Sequence, residues 1–333
     1  MRREASINVL LSTWSMTFHL CRTAPQRAMV TLLFFSVLVA QAWSVRPQQL
    51  PAPKNIFILA GQSNMAGRGG VVNDTITGVA TWDGIIPPQC QPNPSVLRLS
   101  ANLTWVLAHE PLHADIDVNK TNGVGPGMAF ANAVLAKDPT FGAIGLVPCA
   151  IGGTKISEWG RGTFLYNQLV QRARASLQDG GGSTIQALLW YQGESDTVSK
   201  EDAESYKGKL ERFFMDLRDD LQSPMLPIIQ MGLASGSGPF IKIVREAQMG
   251  IDLLNLRTVD AKGLTLEPDG LHLTTPSQVR LGQMLADTFL QFLPSGPIVS
   301  LTYSGSSARC SPFIVDLFIA PLLRCFNRII LLN

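Results

Sequence analysis

The stretch Ile56-Phe57-Ile58-Leu59-Ala60-Gly61-Gln62-Ser63-Asn64-Met65 decides how this chain is read. Five apolar residues run without interruption and stop at a glycine, and a serine flanked by two amides follows. A continuous apolar run is what a strand covered on both faces requires. The residues just past such a strand lie on the sheet edge where open α/β folds bind ligands. Ser63 could equally cap the helix that follows. Further strand-like runs occupy 143–149, 185–191, 226–233 and, more weakly, 257–260. Helical stretches at 128–136, 166–177, 203–221, 241–253 and 277–293 alternate with them. In the last, Val279, Leu281, Met284, Leu285, Phe289 and Phe292 recur at helical spacing and make one buried face. This β-α alternation predicts a parallel, doubly wound sheet. The stretch 67–126, rich in proline and asparagine, predicts a long loop excursion over the site.

Asp269-Gly270-Leu271-His272 supplies an acid and an imidazole three residues apart near the end of the α/β region. With Ser63 these make a nucleophile, a general base and the carboxylate that orients it. The plainer reading of Asp269 as a helix cap is weakened by Thr274 and Thr275, which already stand before Pro276. Donors for an oxyanion are expected from the Ser63 backbone, from Gly152-Gly153 after the second strand and from the Gln192 side chain after the third. Glu194 is expected to position these neighbours, with a general-acid role as the alternative. Trp159 is the expected site-lining ring, although buried aromatics more often belong to a core.

Three other patterns carry less. His109-Glu110-Pro111-Leu112-His113 matches the H-E-x-x-H zinc spacing, but a proline mid-motif opposes the helix that would align the histidines, so no metal is expected. Gly123-Val124-Gly125-Pro126-Gly127 lacks both the preceding strand and the G-x-G-x-x-G spacing of a dinucleotide site, and no cofactor is implied. Gly61-x-Ser63-x-Met65 is not the G-x-S-x-G elbow of α/β-hydrolases.

The 333 residues are 46% hydrophobic and 16% charged, with a formal net charge of +2. No dense Lys/Arg run calls for nucleic acid. Basic residues Arg2, Arg3, Arg22 and Arg27 precede an apolar run at 28–40, and Ala40-Gln41-Ala42 offers a small-x-small cleavage site. Residues 1–42 therefore read as a signal peptide, with an uncleaved membrane anchor as the alternative, and the protein as secreted to the cell exterior or wall. Sequons at Asn73, Asn102 and Asn119 agree with export as a glycoprotein. Cys90, Cys149, Cys310 and Cys325 would permit two disulfides, but Cys149 sits in an apolar run and reads as a buried thiol. The tail 300–333 does not continue the α/β pattern.

The motifs GQSNMAGRGG at 61–70, EPLHADID at 110–117, GVGPGMAFA at 123–131, PCAIGGTKISEW at 148–159, WYQGESD at 190–196, VREAQ at 244–248 and DGLHLTT at 269–275 stand in order along the chain. Together they resemble the SGNH, or GDSL-type, hydrolases, and most closely the plant branch of carbohydrate esterase family 6 with its sialate O-acetylesterase-like domain. The resemblance spans 55–293. It implies a flavodoxin-like three-layer α/β/α sandwich with a central parallel sheet, and removal of acetyl groups from carbohydrate such as plant cell-wall xylan. Carried over, Ser63 is nucleophile, His272 and Asp269 complete the triad, and the second-block glycine falls at Gly152 or Gly153. Gln192 and Glu194 stand where the wider superfamily carries a glycine-x-asparagine pattern. A lipase-type enzyme for longer acyl chains and a non-catalytic sugar-binding protein on the same scaffold are the rival readings.

Overall fold

Strand β1 (Asn55–Gly61) lies at the centre of a seven-stranded sheet, and every residue from Ile56 onward in it is buried. A computed structural model describes residues 53–74, 76–178 and 182–293 of the chain. The proposed signal peptide, the tail from 300 onward, Cys310 and Cys325 lie outside the described residues.

A single helical turn, α1 (Ser63–Ala66), follows β1. The short strands β2 (Val71–Asn73) and β3 (Ala80–Trp82) pair as an antiparallel ribbon, and β4 (Val96–Leu99) and β5 (Trp105–Leu107) come next. The regular alternation then takes over: α2 (Pro126–Lys137), β6 (Ile144–Pro148), α3 (Phe164–Ala175), β7 (Thr184–Tyr191), α4 (Lys200–Asp220), β8 (Ile228–Gly232), α5 (Ile241–Met249), β9 (Leu256–Asp260) and α6 (Thr275–Leu290). The sheet order is β5-β4-β6-β1-β7-β8-β9, all parallel except β5 at one edge. The five strands read from the sequence thus take the flavodoxin-like order, with β1 between β6 and β7. Their connections run away from β1 in opposite directions, which opens a crevice at its carboxyl end.

Helices cover both faces of the sheet. On one, Phe57 meets Phe130 of α2 and Phe289 of α6 edge to face, with ring centroids 4.8 Å apart in each case. On the other, Trp190 packs on Phe213 of α4 at 4.5 Å and on Trp159 at 5.2 Å. α2 and α6 approach closely because Gly282 has no side chain; a Cβ there would stand 2.5 Å from the Pro126 carbonyl oxygen. Thr274 caps α6, its side chain accepting from Ser277 N, so Asp269 is left free of that task.

The excursion differs from the expected loop. Val96-Leu97-Arg98-Leu99 extends the sheet beside β6, and β5 closes that edge. Arg98 can sit in a buried strand because its guanidinium forks onto Asp115, at 2.5 and 3.2 Å. The H-E-x-x-H segment consists of irregular turns. Its Glu110 and His113 are buried, and no cluster of metal-ligating side chains occurs among the described residues. Cys90 and Cys149 are both buried free thiols; burial pushes Cys149 up to about 11.

Candidate active site

Ser63 is the first residue of α1, so its backbone N–H has no partner inside the turn. Gly61, just before, takes a φ of +129°, and a Cβ there would overlap the Tyr191 carbonyl. A side-chain-free residue at that point lets β1 bend past β7 and lift Ser63 to the sheet edge.

The structure brings the three distant residues together. Ser63 Oγ lies 3.0 Å from His272 Nε2, and His272 Nδ1 lies 2.6 Å from Asp269 Oδ2, across 209 positions of sequence. With the ring proton on Nδ1 donated to the carboxylate, Nε2 is left to accept from the serine hydroxyl. Asp269 Oδ1 accepts from the backbone N–H groups of Leu271 and His272, at 2.8 and 2.9 Å. Partial burial would raise this carboxyl, but those two N–H groups and the imidazole outweigh it and hold Asp269 below the usual carboxylate range.

Asn64, visible in the sequence only as an amide beside Ser63, fixes the segment that carries His272. Its Oδ1 accepts from Leu273 N at 2.9 Å and its Nδ2 donates to Leu271 O at 3.3 Å, one contact on each side of the histidine. Nδ2 also donates to Glu194 Oε1 at 2.8 Å. Glu194 is wholly buried, and burial pushes it up to about 7. Its partner is Asn64, not Ser63 or His272, so the geometry gives it positioning work and leaves the general-acid alternative without a contact to act through.

The expected oxyanion donors separate. Gly152 lies against Ser63: a Cβ on it would stand 3.5 Å from Ser63 Cβ and 2.5 Å from Arg68 Nη2. Gly153, at a φ of +81° with open space around it, makes the turn. Gln192 is a correction. Its amide is fully buried, and Nε2 donates to Asp196 Oδ2 at 2.6 Å and Thr154 O at 2.8 Å, with Gln62 Oε1 at 3.3 Å. An amide has two hydrogens, so these acceptors exhaust it and none is left for a substrate. Trp159 is a second correction: it is wholly buried against Trp190, its indole N–H donated to Thr154, and it belongs to the core.

Sequence reasoning missed Arg68 and Asp117. Their side chains pair at 2.5 Å, both buried, and Asp117 Oδ2 also accepts from Gly152 N at 3.2 Å. An oxyanion would compete with Asp117 for that Gly152 donor. Arg68 Nη1 further donates to Asn122 Oδ1 at 2.8 Å, tying the 117–122 loop to the site. Both residues fall within quoted motifs, but no spacing rule links positions 68 and 117. Beside His272 and Asp269 opens a cavity of about 160 Å³ whose far side is the β2–β3 ribbon, through Val71, Asn73 and Ala80.

The family described as carbohydrate esterase, sialic acid-specific acetylesterase, matches residues 53–291. The chain is 58% identical over 244 residues to "Probable carbohydrate esterase At4g34215" of Arabidopsis thaliana, covering 73% of this chain and 93% of that one. The crystal structure of the Arabidopsis protein superimposes with a TM-score of 0.69 at 56% identity, over 72% of this chain and 98% of its own. The crystal structure of NanS shares the fold, with a TM-score of 0.57 at 18% identity over 73% and 98% of the two chains.

Proposed function

Because the chain belongs to the sialic acid-specific acetylesterase family of carbohydrate esterases, and is thereby a carboxylic ester hydrolase, we propose that it is a secreted serine esterase that removes acetyl groups from cell-wall polysaccharide such as xylan through an acyl-enzyme on Ser63. The observation that carries this reading is the unbroken line from Ser63 Oγ through the His272 ring to Asp269, at 3.0 and 2.6 Å. His272 takes the hydroxyl proton as Ser63 Oγ bonds to the ester carbonyl carbon, and Asp269 steadies the cation that results. The oxyanion is met by the Ser63 N–H, and by the Gly152 N–H as it exchanges Asp117 Oδ2 for the substrate oxygen. Arg68 offsets the Asp117 carboxylate that would otherwise repel it. As the bond to the sugar oxygen breaks, His272 returns the proton to that oxygen, and the sugar leaves. Water, deprotonated by the same imidazole, then bonds to the acyl carbon; the bond to Ser63 Oγ breaks, His272 returns the proton to Oγ, and acetate leaves.

Secretion is supported by the basic and apolar order of residues 1–42 and by the exposure of Asn73, Asn102 and Asn119. Among the described residues no helix is long and apolar enough to cross a membrane. Acetate release from acetylated xylan tests the reading, with esters from acetyl to octanoyl alongside. The acetyl ester is expected to be the best substrate, and Ser63→Ala to lower turnover by about 10⁴–10⁶-fold. Wild-type rates in Ser63→Ala would overturn the acyl-enzyme; a preference for octanoyl would favour a lipase-type enzyme.

A further inference from the structure

The Gln62 side chain has one end occupied and one end free. The backbone N–H groups of Gly193 and Ser195 converge on its Oε1 at 3.4 Å each, and the Gln192 amide nitrogen stands 3.3 Å from the same oxygen. These donors fix which end is oxygen, because a flipped amide would aim its own hydrogens at theirs. Nε2 keeps two hydrogens and has no partner among the described residues. Gln62 is only 2% exposed, yet Nε2 is not one of the sealed polar atoms that lack a partner, so the exposure that remains includes this nitrogen. The backbone beneath is held as well: Gln62 N donates to Tyr191 O at 2.8 Å, and Gln62 O accepts from Met65 N and Ala66 N at 3.0 and 2.9 Å. Nearly every buried amide in a folded protein is paired at both ends. One that is fixed at its oxygen and open at its nitrogen has the form of a donor set in place before its acceptor arrives.

The position of the amide suits that task. β1 lies between β6 and β7, so Ser63 stands between the loops that follow those two strands. The tip of Gln62 reaches into the same gap. Gly193 and Ser195 follow β7, and the Gln192 nitrogen beside Gln62 Oε1 donates to Thr154 O, two residues past Gly152. No hydrogen bond joins the Gln62 side chain to the segment that carries His272, which is gripped by Asn64 and Ser235 instead. The carbonyl oxygen of an ester at Ser63 has to lie toward Gly152, away from the imidazole that takes the proton. The Gly152 N–H must first release Asp117 Oδ2 to donate there, whereas Gln62 Nε2 has nothing to release. The geometry points to Gln62 Nε2 as a third donor to the oxyanion, in the role that the sequence suggested for Gln192. The inference rests on the esterase reading of Ser63 and adds to it the side chain that polarises the acyl group.

Two variants of the full-length protein separate donation from structure. Gln62→Glu keeps an oxygen for Gly193 N and Ser195 N but loses the donor; Gln62→Met loses both and adds no charge. Each is expected to lower kcat and kcat/KM for an acetyl ester together, by about 10²–10³-fold, with KM little changed. Gln62→Glu should keep the wild-type urea midpoint, whereas Gln62→Met should lower it by leaving two N–H groups unpaired. A purely structural role gives a different pattern, in which Gln62→Glu rescues activity along with stability. Wild-type kcat in either folded variant would overturn the proposal. So would a loss confined to KM, which marks a contact to the sugar instead of the oxyanion. Labelling of Ser63 by a fluorophosphonate is followed in parallel, because its phosphoryl oxygen takes the place of the oxyanion whatever the natural ester is. Slower labelling of both variants supports Gln62, and does so even where the wild-type protein releases no acetate, a result that removes only the acetyl substrate. Equal labelling rates in wild type and variants remove Gln62 and leave Ser63 as nucleophile. A wild-type protein that neither labels nor turns over removes both readings.

Discussion

Asn64 grips the backbone on both sides of His272 while itself being held by Glu194. Removing that grip does not touch the reacting atoms, yet it frees the imidazole to wander from Ser63. A displacement of about 1 Å costs on the order of 10² in rate. Asn64→Ala is therefore expected to lower kcat by about 10–100-fold with a small change in KM, and to destabilise the fold by about 1–3 kcal/mol because Leu273 N and Glu194 lose a buried partner. Steady-state kinetics beside a urea titration would separate the two effects. The sequence displayed this residue in its opening motif, but only contacts between segments more than 200 positions apart reveal what it holds. Gln192 teaches the converse. Its place after β7 and its donor group fit an oxyanion role, and saturation of its hydrogens by Asp196 and Thr154 removes it.

At the scale of elements, packing of α2 against α6 is limited by a single missing atom. Gly282→Ala places a Cβ 2.5 Å from the Pro126 carbonyl oxygen and 2.7 Å from Ala129 Cβ, with backbone on one side and no flexible tip to yield. We expect a loss of about 1–3 kcal/mol, the usual cost of overfilling a packed interface. This would be seen as a lower urea midpoint with kcat/KM per folded molecule retained. The five long parallel strands and five of the helices were legible, because an element buried on a whole face leaves a period in its sequence. β4 and β5 were not. They are four and three residues long, too short for a period, and Arg98 inside β4 breaks the apolar signature that Asp115 makes tolerable.

For the molecule as a whole, buried titratable groups outside the Ser63–His272–Asp269 line shape stability against pH. Burial raises Glu110 to about 8 and Asp196 to about 6, while it lowers His113 to about 3. For the two acids the folded form retains a proton that the unfolded chain gives up near its ordinary carboxylate value. Their contribution is complete below that value and is lost as pH rises through about 6 for Asp196 and about 8 for Glu110. For His113 the sign reverses: the unfolded chain takes up a proton below about 6.5 that the folded one refuses. Stability is lost there as pH falls from about 6.5 toward 3. Melting temperature is expected to peak in mildly acidic buffer and fall on both sides. Glu110→Gln, which keeps an acceptor for Leu112 N, should flatten the decline between pH 5 and 8. An unchanged slope in that variant would remove Glu110 as its cause.

The chain's own order of residues determined the parallel α/β architecture and placed Ser63, Asp269 and His272 as chemically matched parts at element ends. Burial on one face, both faces or none imprints a local pattern, and reactive side chains declare their chemistry by type. Only the tertiary structure decided which of Gly152 and Gly153 lies against Ser63, that Gln192 is spent on the core, and that Arg68 and Asp117 stand beside it. Close approach and the sharing of a limited number of hydrogens are properties of pairs, and the pairs here are joined through space across dozens to hundreds of residues.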